Sequence, residues 1–194
     1  MKVVFISIFA IFYGVSLLKA QSEIDYKPKL LLRELASLYG QNQSLLSEID
    51  LTNTQANQVY NGKFFIIGDH VSPNKNRYVY IGRVNSCRSG GCSGNMDRIS
   101  DQTSEYFDYF IFFDANCIVR LVKVYNYQAT HGQEISATAW LKQFIGYGSE
   151  NSLNIGKNID AISGATISVT VITYDIQDKT RMLKQIVQES RLAN

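Results

Sequence analysis

Tyr106-Phe107-Asp108-Tyr109-Phe110-Ile111-Phe112-Phe113, then Asp114-Ala115-Asn116, then Cys117-Ile118-Val119-Arg120-Leu121-Val122-Lys123-Val124-Tyr125-Asn126-Tyr127, is the stretch on which the fold turns. Both arms are dense in aromatic and β-branched residues, which suit a pleated, half-buried surface. Turn-forming residues separate them, so the stretch predicts a β-hairpin with a short loop. In the second arm a two-residue period puts Ile118, Arg120, Val122, Val124 and Asn126 on one face. Upstream, KFFIIG (63–68) and RYVYIGRV (77–84) predict two more strands around a turn at Pro73 and Asn74. Asn85 to Asn95 reads as a Gly/Ser/Cys loop.

Helices are expected at both ends. KLLLRELASLY (29–39) places Leu31, Leu35 and Leu38 on one face, with Gly40 as a stop. Residues 41–61 are polar and ambiguous, and Ser44 offers a cap for a second short helix. SATAWLKQF (136–144) reads as a short helix capped by Ser136 and closed by Gly146. The last stretch, 166–190, supports two readings. Ile167 to Tyr174 is β-branched and locally strand-like. Yet Val169, Ile172, Ile176, Leu183 and Val187 fall at helical spacings, and no Gly or Pro interrupts them. That stripe predicts a long C-terminal helix. The expected fold class is α+β, an antiparallel sheet with helices at both ends.

The chain has 194 residues, 45% hydrophobic and 19% charged, which describes a globular protein. Its net charge of +2 resides in Lys2 and Lys19, and the remainder is neutral. A neutral body argues against nucleic acid as a partner, because phosphate binding needs clustered positive charge. Two His and three Cys leave little material for a metal, and no metal site is assigned. His70 and His131 lie far apart without a motif, so no catalytic acid, base or nucleophile is assigned either.

Met1-Lys2 is followed by an apolar run, Val3 to Leu18, and then Lys19-Ala20-Gln21-Ser22. Charge, apolar core and small residue come in the order of a secretory signal with a cut after Ala20. The alternative is an uncleaved membrane anchor, although the run falls short of the roughly 20 apolar residues of a spanning helix. The expected organisation is a signal over 1–20, an N-terminal helical segment over 21–62 and the main domain over 63–194. The expected location is periplasmic or extracellular, with membrane association through the N-terminal segment if it is retained.

Asp160-Ala161-Ile162-Ser163-Gly164-Ala165-Thr166 opens the predicted C-terminal helix. Ser163 is placed to cap it, with Gly164, Ala165 and Thr166 as its first turn. Small residues leave the first-turn amides uncovered, and such a helix start holds a phosphate well. Thr166 adds a hydroxyl there. A plain Ser-capped helix with an incidental threonine satisfies the same spacing.

These residues resemble the pattern Asp-x-x-Ser/Thr-Gly-Ala-Thr of FMN-binding domains. That family includes the flavin-carrying subunits of the Rnf and Nqr ion-pumping electron-transport complexes. The similarity extends over roughly residues 77–190: a hairpin, a turn at Thr130-His131-Gly132, a short helix with Trp140, then the motif. The resemblance implies an FMN-binding-domain fold and FMN joined by a phosphoester bond to Thr166, made from FAD by a flavin transferase. Asp160, Ser163, Gly164 and Ala165 would complete the attachment motif, with Asp160 read by the transferase. Thr130, His131 and Gly132 would line the pocket. The chain would be an electron carrier rather than a stand-alone catalyst, exchanging electrons with a membrane or extracytoplasmic partner. Two departures stand out. His131 replaces a frequent Pro, and Ser168-Val169 replaces a frequent Thr-Ser.

Other readings remain beside this one: a non-covalent FMN-binding or regulatory module of the same fold, and a disulfide oxidoreductase using Cys87 and Cys92. Those two cysteines flank a diglycine and can form a structural disulfide or a redox pair in an oxidising compartment. Cys117 is expected as a small buried residue in a strand. Arg83 and Arg88 are candidates for the flavin phosphate or for plain surface positions. Trp140 is core or pocket wall, and the aromatic cluster over 106–113 is read as core.

Overall fold

Among the described residues, five strands hydrogen-bond in chain order into one antiparallel sheet: β1 (Leu46–Glu48), β2 (Gly62–Ile67), β3 (Tyr78–Arg88), β4 (Ser104–Phe113) and β5 (Val119–Tyr127). Helix α1 (Lys29–Tyr39) precedes them. A 3₁₀ turn (Gln133–Ser136), helix α2 (Thr138–Leu141), a second 3₁₀ turn (Lys142–Phe144) and helix α3 (Thr166–Leu192) follow. The structure is a computed structural model. It describes residues 23–39, 46–51, 61–68, 77–88 and 104–192, with backbone alone at Cys87, Arg88 and Ser104. The N-terminal signal, the turn at Pro73 and Asn74, His70 and Cys92 lie outside the described residues.

Residues paired directly across strands share a face. Phe64, Tyr80, Ile111 and Val122 form one such row over β2 to β5, and all four are buried. Phe65, Val79, Phe112 and Leu121 form the neighbouring row on the opposite face. Helix α3 covers the first face with Val169, Ile172, Ile176, Leu183 and Val187. Helix α1 covers the second with Leu31 and Leu35. Leu38, expected on the same stripe, is 38% exposed. The architecture is α+β, with the sheet held between the two terminal helices.

The β-branched start of α3 is helical because the stripe, not local propensity, decides. Each fully buried aliphatic side chain contributes about 1.5–3 kcal/mol, whereas helix propensities of ordinary residues differ by under about 1 kcal/mol. Thr170, Thr173 and Thr180 turn their hydroxyls back onto the carbonyls of Thr166, Val169 and Ile176, which satisfies them inside the helix.

Several local expectations change. Residues 46–48, within the stretch offered a second helix, form β1 instead. Strand β3 runs on to Arg88 rather than yielding to a loop at Asn85, because Asn85 and Arg88 still pair with Tyr106 and Ser104 around a bulge. Cys117 is buried, but it stands at φ 62 in the turn before β5, not in a strand. Asp114 organises that turn by accepting from the amides of Asn116 and Ile118 and from the Arg120 guanidinium. Burial pushes the Cys117 thiol up to about 11, so it stays protonated. Ser136 caps nothing. Ala137 stands at the entry to α2, and the Ser136 hydroxyl is buried without a partner. The cause is Ile135, whose full burial draws Gln133–Ser136 into a 3₁₀ turn.

Most consequential are two bulges in β5. Asp108 pairs Asn126 but Tyr109 pairs Val124, and Phe112 pairs Leu121 but Phe113 pairs Val119. The extra residues, Tyr125 and Arg120, each reverse the alternation. Asn126 therefore does not share a face with Val122 and Val124. It donates to buried Asp108 on the α1 face, and Tyr127 passes to the α3 face.

Under α3 the core is not wholly apolar. Lys179, buried, pairs with Asp175 at 3.2 Å and Asp178 at 3.1 Å, and Tyr109 donates its hydroxyl to Asp175. Burial alone depresses a lysine, but the two aspartates outweigh it and the Lys179 ammonium is held above its ordinary range. Burial also raises the Tyr80 and Tyr109 hydroxyls well above 10. All three groups bind their protons more tightly when folded. Stability is therefore full below the unfolded values, near 10, and falls as pH rises beyond them. Lys179→Ala is expected to lose stability toward the lower end of about 3–5 kcal/mol, since it leaves Asp175 without a cation. Urea titrations of parent and variant check this, and thermal midpoints of the parent should fall from about pH 10 upward.

Candidate functional site

The segment before α3 is clamped through its backbone. The indole Nε1 of Trp140 donates to the Asp160 carbonyl at 2.9 Å, and the Asp160 amide donates to Gln143 Oε1 at 2.8 Å. Trp140 is thus a buried core residue with its ring edge-on to Phe144, and its polar atom positions the motif. The loop that precedes the motif is tied down as well. Gln177 donates to the Leu153 carbonyl, and Lys184 on α3 pairs with Glu150.

Ser163 does not cap α3. Ser163 and Gly164 form a turn closed by the Ala165 amide on the Ile162 carbonyl, and helix begins at Thr166. Ala165 occupies the entry position, its carbonyl accepting from Val169 at 2.9 Å. The reason is Gly164, which stands at φ +82 outside the helical region, so the helix starts only after it, with the Ala165 methyl buried in the core. The first-turn amides of Thr166, Ile167 and Ser168 then have no carbonyl inside the helix. Among the described residues no side chain caps them. Thr166, Ser163 and Gly164 are exposed, and a Cβ on Gly164 would meet nothing within 4 Å. Together these features make an open helix start with a free threonine at its mouth, a place suited to an anion.

Ser168 faces the other way. It is buried, and its hydroxyl lies 3.0 Å from that of Ser86 on β3 and 3.1 Å from that of Tyr127 on β5. It is committed to the interior and is not a second open hydroxyl. Tyr127 stacks on Phe107 at 5.5 Å between ring centres and donates to the His131 carbonyl. The Thr130-His131-Gly132 turn is thereby brought against the first turn of α3, although Gly132 and Ser168 are far apart in sequence. Thr130 and His131 are exposed, and Thr130 donates to Glu105.

Arg83 is not part of this site. It is buried on the α1 face in a two-pronged pair with Asp108, at 2.6 and 3.0 Å, and lies 3.7 Å over the Tyr106 ring. The alternation of β3 separates it from Ser86, whose side chain points to α3. The Arg88 side chain and Cys92 lie outside the described residues, so neither the disulfide candidate nor the second arginine is located here. The Cys87 backbone directly follows Ser86. No group of three or more His, Cys, Asp and Glu among the described residues is placed to hold a metal, and none of the described helices is long and apolar enough to cross a membrane. A shallow cavity of about 310 Å³ lies at the β1–β2 edge, lined by residues 48–51 and 62–64, and contains none of the residues singled out from sequence.

The sequence singles out the 160–166 segment and the 130–132 turn but gives no sign of Ser86, Tyr127 or Gln143. No local pattern marks them, since each acts across elements. Comparison of the chain with protein-family models, curated proteins and solved structures gives no match.

The tightest approach in the site is at Gly132, which has φ +88. A Cβ there would stand 2.5 Å from the Ser168 hydroxyl oxygen and 3.0 Å from that of Tyr127. Gly146 shares φ +88 but has nothing within 4 Å. Gly132→Ala and Gly146→Ala should both show backbone strain of order 1–3 kcal/mol. Gly132→Ala should cost clearly more, and the difference between the two denaturation midpoints measures the contact with Ser168.

Proposed function

We propose that this chain is an exported electron-transfer flavoprotein of the FMN-binding-domain type, with FMN attached by phosphoester to Thr166. The observation that carries the reading is the exposed Thr166 hydroxyl at the open start of a 27-residue helix, directly after Asp160–Ala165. The motif resemblance and the helix geometry support it from independent directions. One comes from residue identity, the other from where tertiary packing starts the helix.

The residues fit such a group. The amides of Thr166, Ile167 and Ser168 and the helix dipole favour a phosphate dianion or ester at this end. Open space at Gly164 leaves room for it. Gly132 packs against Ser168 in the first turn of α3, which brings the exposed Thr130 and His131 to the same end of the helix. Bound FMN would supply one- or two-electron transfer, and the protein would supply its position and surroundings. Attachment through phosphate leaves the ring system free to exchange electrons. A covalent tie also suits a protein outside the cytoplasm, where a lost cofactor is not readily replaced. The expected partners are a flavin transferase and a membrane or extracytoplasmic redox protein.

Co-expression with a flavin transferase, followed by mass spectrometry of the denatured protein, tests the reading. The expected result is a gain of one FMN less one water, lost in Thr166→Ala and kept in Thr170→Ala. Yellow colour released on denaturation would favour non-covalent binding. A colourless protein of bare polypeptide mass overturns the proposal.

A further inference from the structure

Ser86, Ser168 and Tyr127 come from β3, α3 and β5, and their hydroxyls meet in a line that ends on the His131 carbonyl. That last atom assigns every proton. A carbonyl only accepts, so Tyr127 donates to it, at 2.5 Å. A phenol has one proton, so the 3.1 Å contact between Ser168 and Tyr127 is donated by Ser168. The Ser168 proton being used, the 3.0 Å contact with Ser86 is donated by Ser86. The relay runs one way, from Ser86 through Ser168 and Tyr127 to the turn. Ser86 and Ser168 are 2% and 3% exposed, so water does not compete for their bonds. Burial also holds the Tyr127 phenol above its ordinary range, which keeps it a donor at neutral pH.

We propose that Tyr127 is a positioning residue for the flavin at Thr166, locking the Thr130-His131-Gly132 turn to the first turn of α3 through Ser168. The inference rests on the flavin reading above and goes beyond it, since neither Tyr127, Ser86 nor Ser168 belongs to the attachment motif. A group joined by one ester swings about that bond unless rigid surface borders it. Here the turn packed against the first turn of α3 is exposed at Thr130 and His131 and is tied to the helix by this relay and the close approach of Gly132. Ser168 shares the first helical turn with Thr166 but points into the interior, so a loosened turn reaches the attachment point through the backbone of that helical turn. Position, not chemistry, is what Tyr127 supplies.

Tyr127→Phe, Ser168→Ala and the double variant test this, each co-expressed with a flavin transferase. Tyr127→Phe keeps the ring stacked on Phe107, so the fold is retained, and Ser86→Ala offers a second cut at the far end of the relay. Loading by mass should match the parent in all of them. In the unloaded chains the Ile135 amide, which donates to the Gly132 carbonyl, should exchange about five- to tenfold faster. In the loaded chains, iodide should quench flavin fluorescence more strongly and the midpoint potential should shift. The double variant should equal either single one, because both cut the same link. Variants that load but match the parent in quenching and potential overturn this proposal alone, as do additive effects in the double variant. A parent that takes up no FMN overturns the flavin reading and this proposal with it.

Discussion

The apolar stripe of α3 lying across one face of the sheet is the contact on which everything else depends. Strands β2 to β5 present a face of Phe64, Tyr80, Phe107, Tyr109, Ile111 and Val122 that would be a large exposed apolar patch if uncovered. The helix in turn carries a β-branched first half that has no strong reason to be helical alone. Each element is unsatisfied without the other. Their contact fixes the helix direction and places Ala165 in the core, directly after the left-handed Gly164 from which the helix departs. The exposure of Thr166 is a by-product of that burial.

Charged groups enter the interior on both faces and are paired where they do. Arg83, Asp108 and Asn126 form one cluster on the α1 side, and Lys179, Asp175, Asp178 and Tyr109 form another on the α3 side. Burying charges is expensive, and such pairs are weak sources of net stability. Breaking one half is costly all the same, so each cluster penalises a shift in register. Asn126 reaches Asp108 only because the strand bulges at Tyr125. The same bulge sends Tyr127 to the other face. One inserted residue thus completes a charge cluster on one side of the sheet and supplies the tyrosine of the hydroxyl relay on the other.

Around the helix start the chain is held through its backbone while the side chains of the candidate residues stay exposed. Trp140 and Gln143 grip the Asp160 peptide groups, and Tyr127 grips the His131 carbonyl. The side chains of Asp160, Ser163, Thr166, Thr130 and His131 remain exposed. On the proposed reading, this division would leave the attachment segment accessible to a modifying protein while its backbone stays fixed. The short helical segment around Trp140 has that clamping as its structural purpose.

Much of this was legible from residues alone where the signal is local and repeated. Lys29–Tyr39, the two arms of the hairpin and the C-terminal helix follow from apolar periodicity, because a helix or strand must bury one face whatever its neighbours are. The motif at 160–166 was legible from residue identity. Other features were not. The bulges at Arg120 and Tyr125 break a period that the sequence keeps, since a bulge is chosen by what the partner strand and helix need. The start of α3 lies past Ser163 because Gly164 takes a left-handed conformation, which no helical turn admits. By itself, the sequence determined the two long helices, the three strongest strand segments and the apolar faces of the helices, because those signals are local and repeated. Tertiary structure alone decided which hydroxyl faces water, which joins the relay and which turn is brought against it, because those depend on contacts between residues distant along the chain.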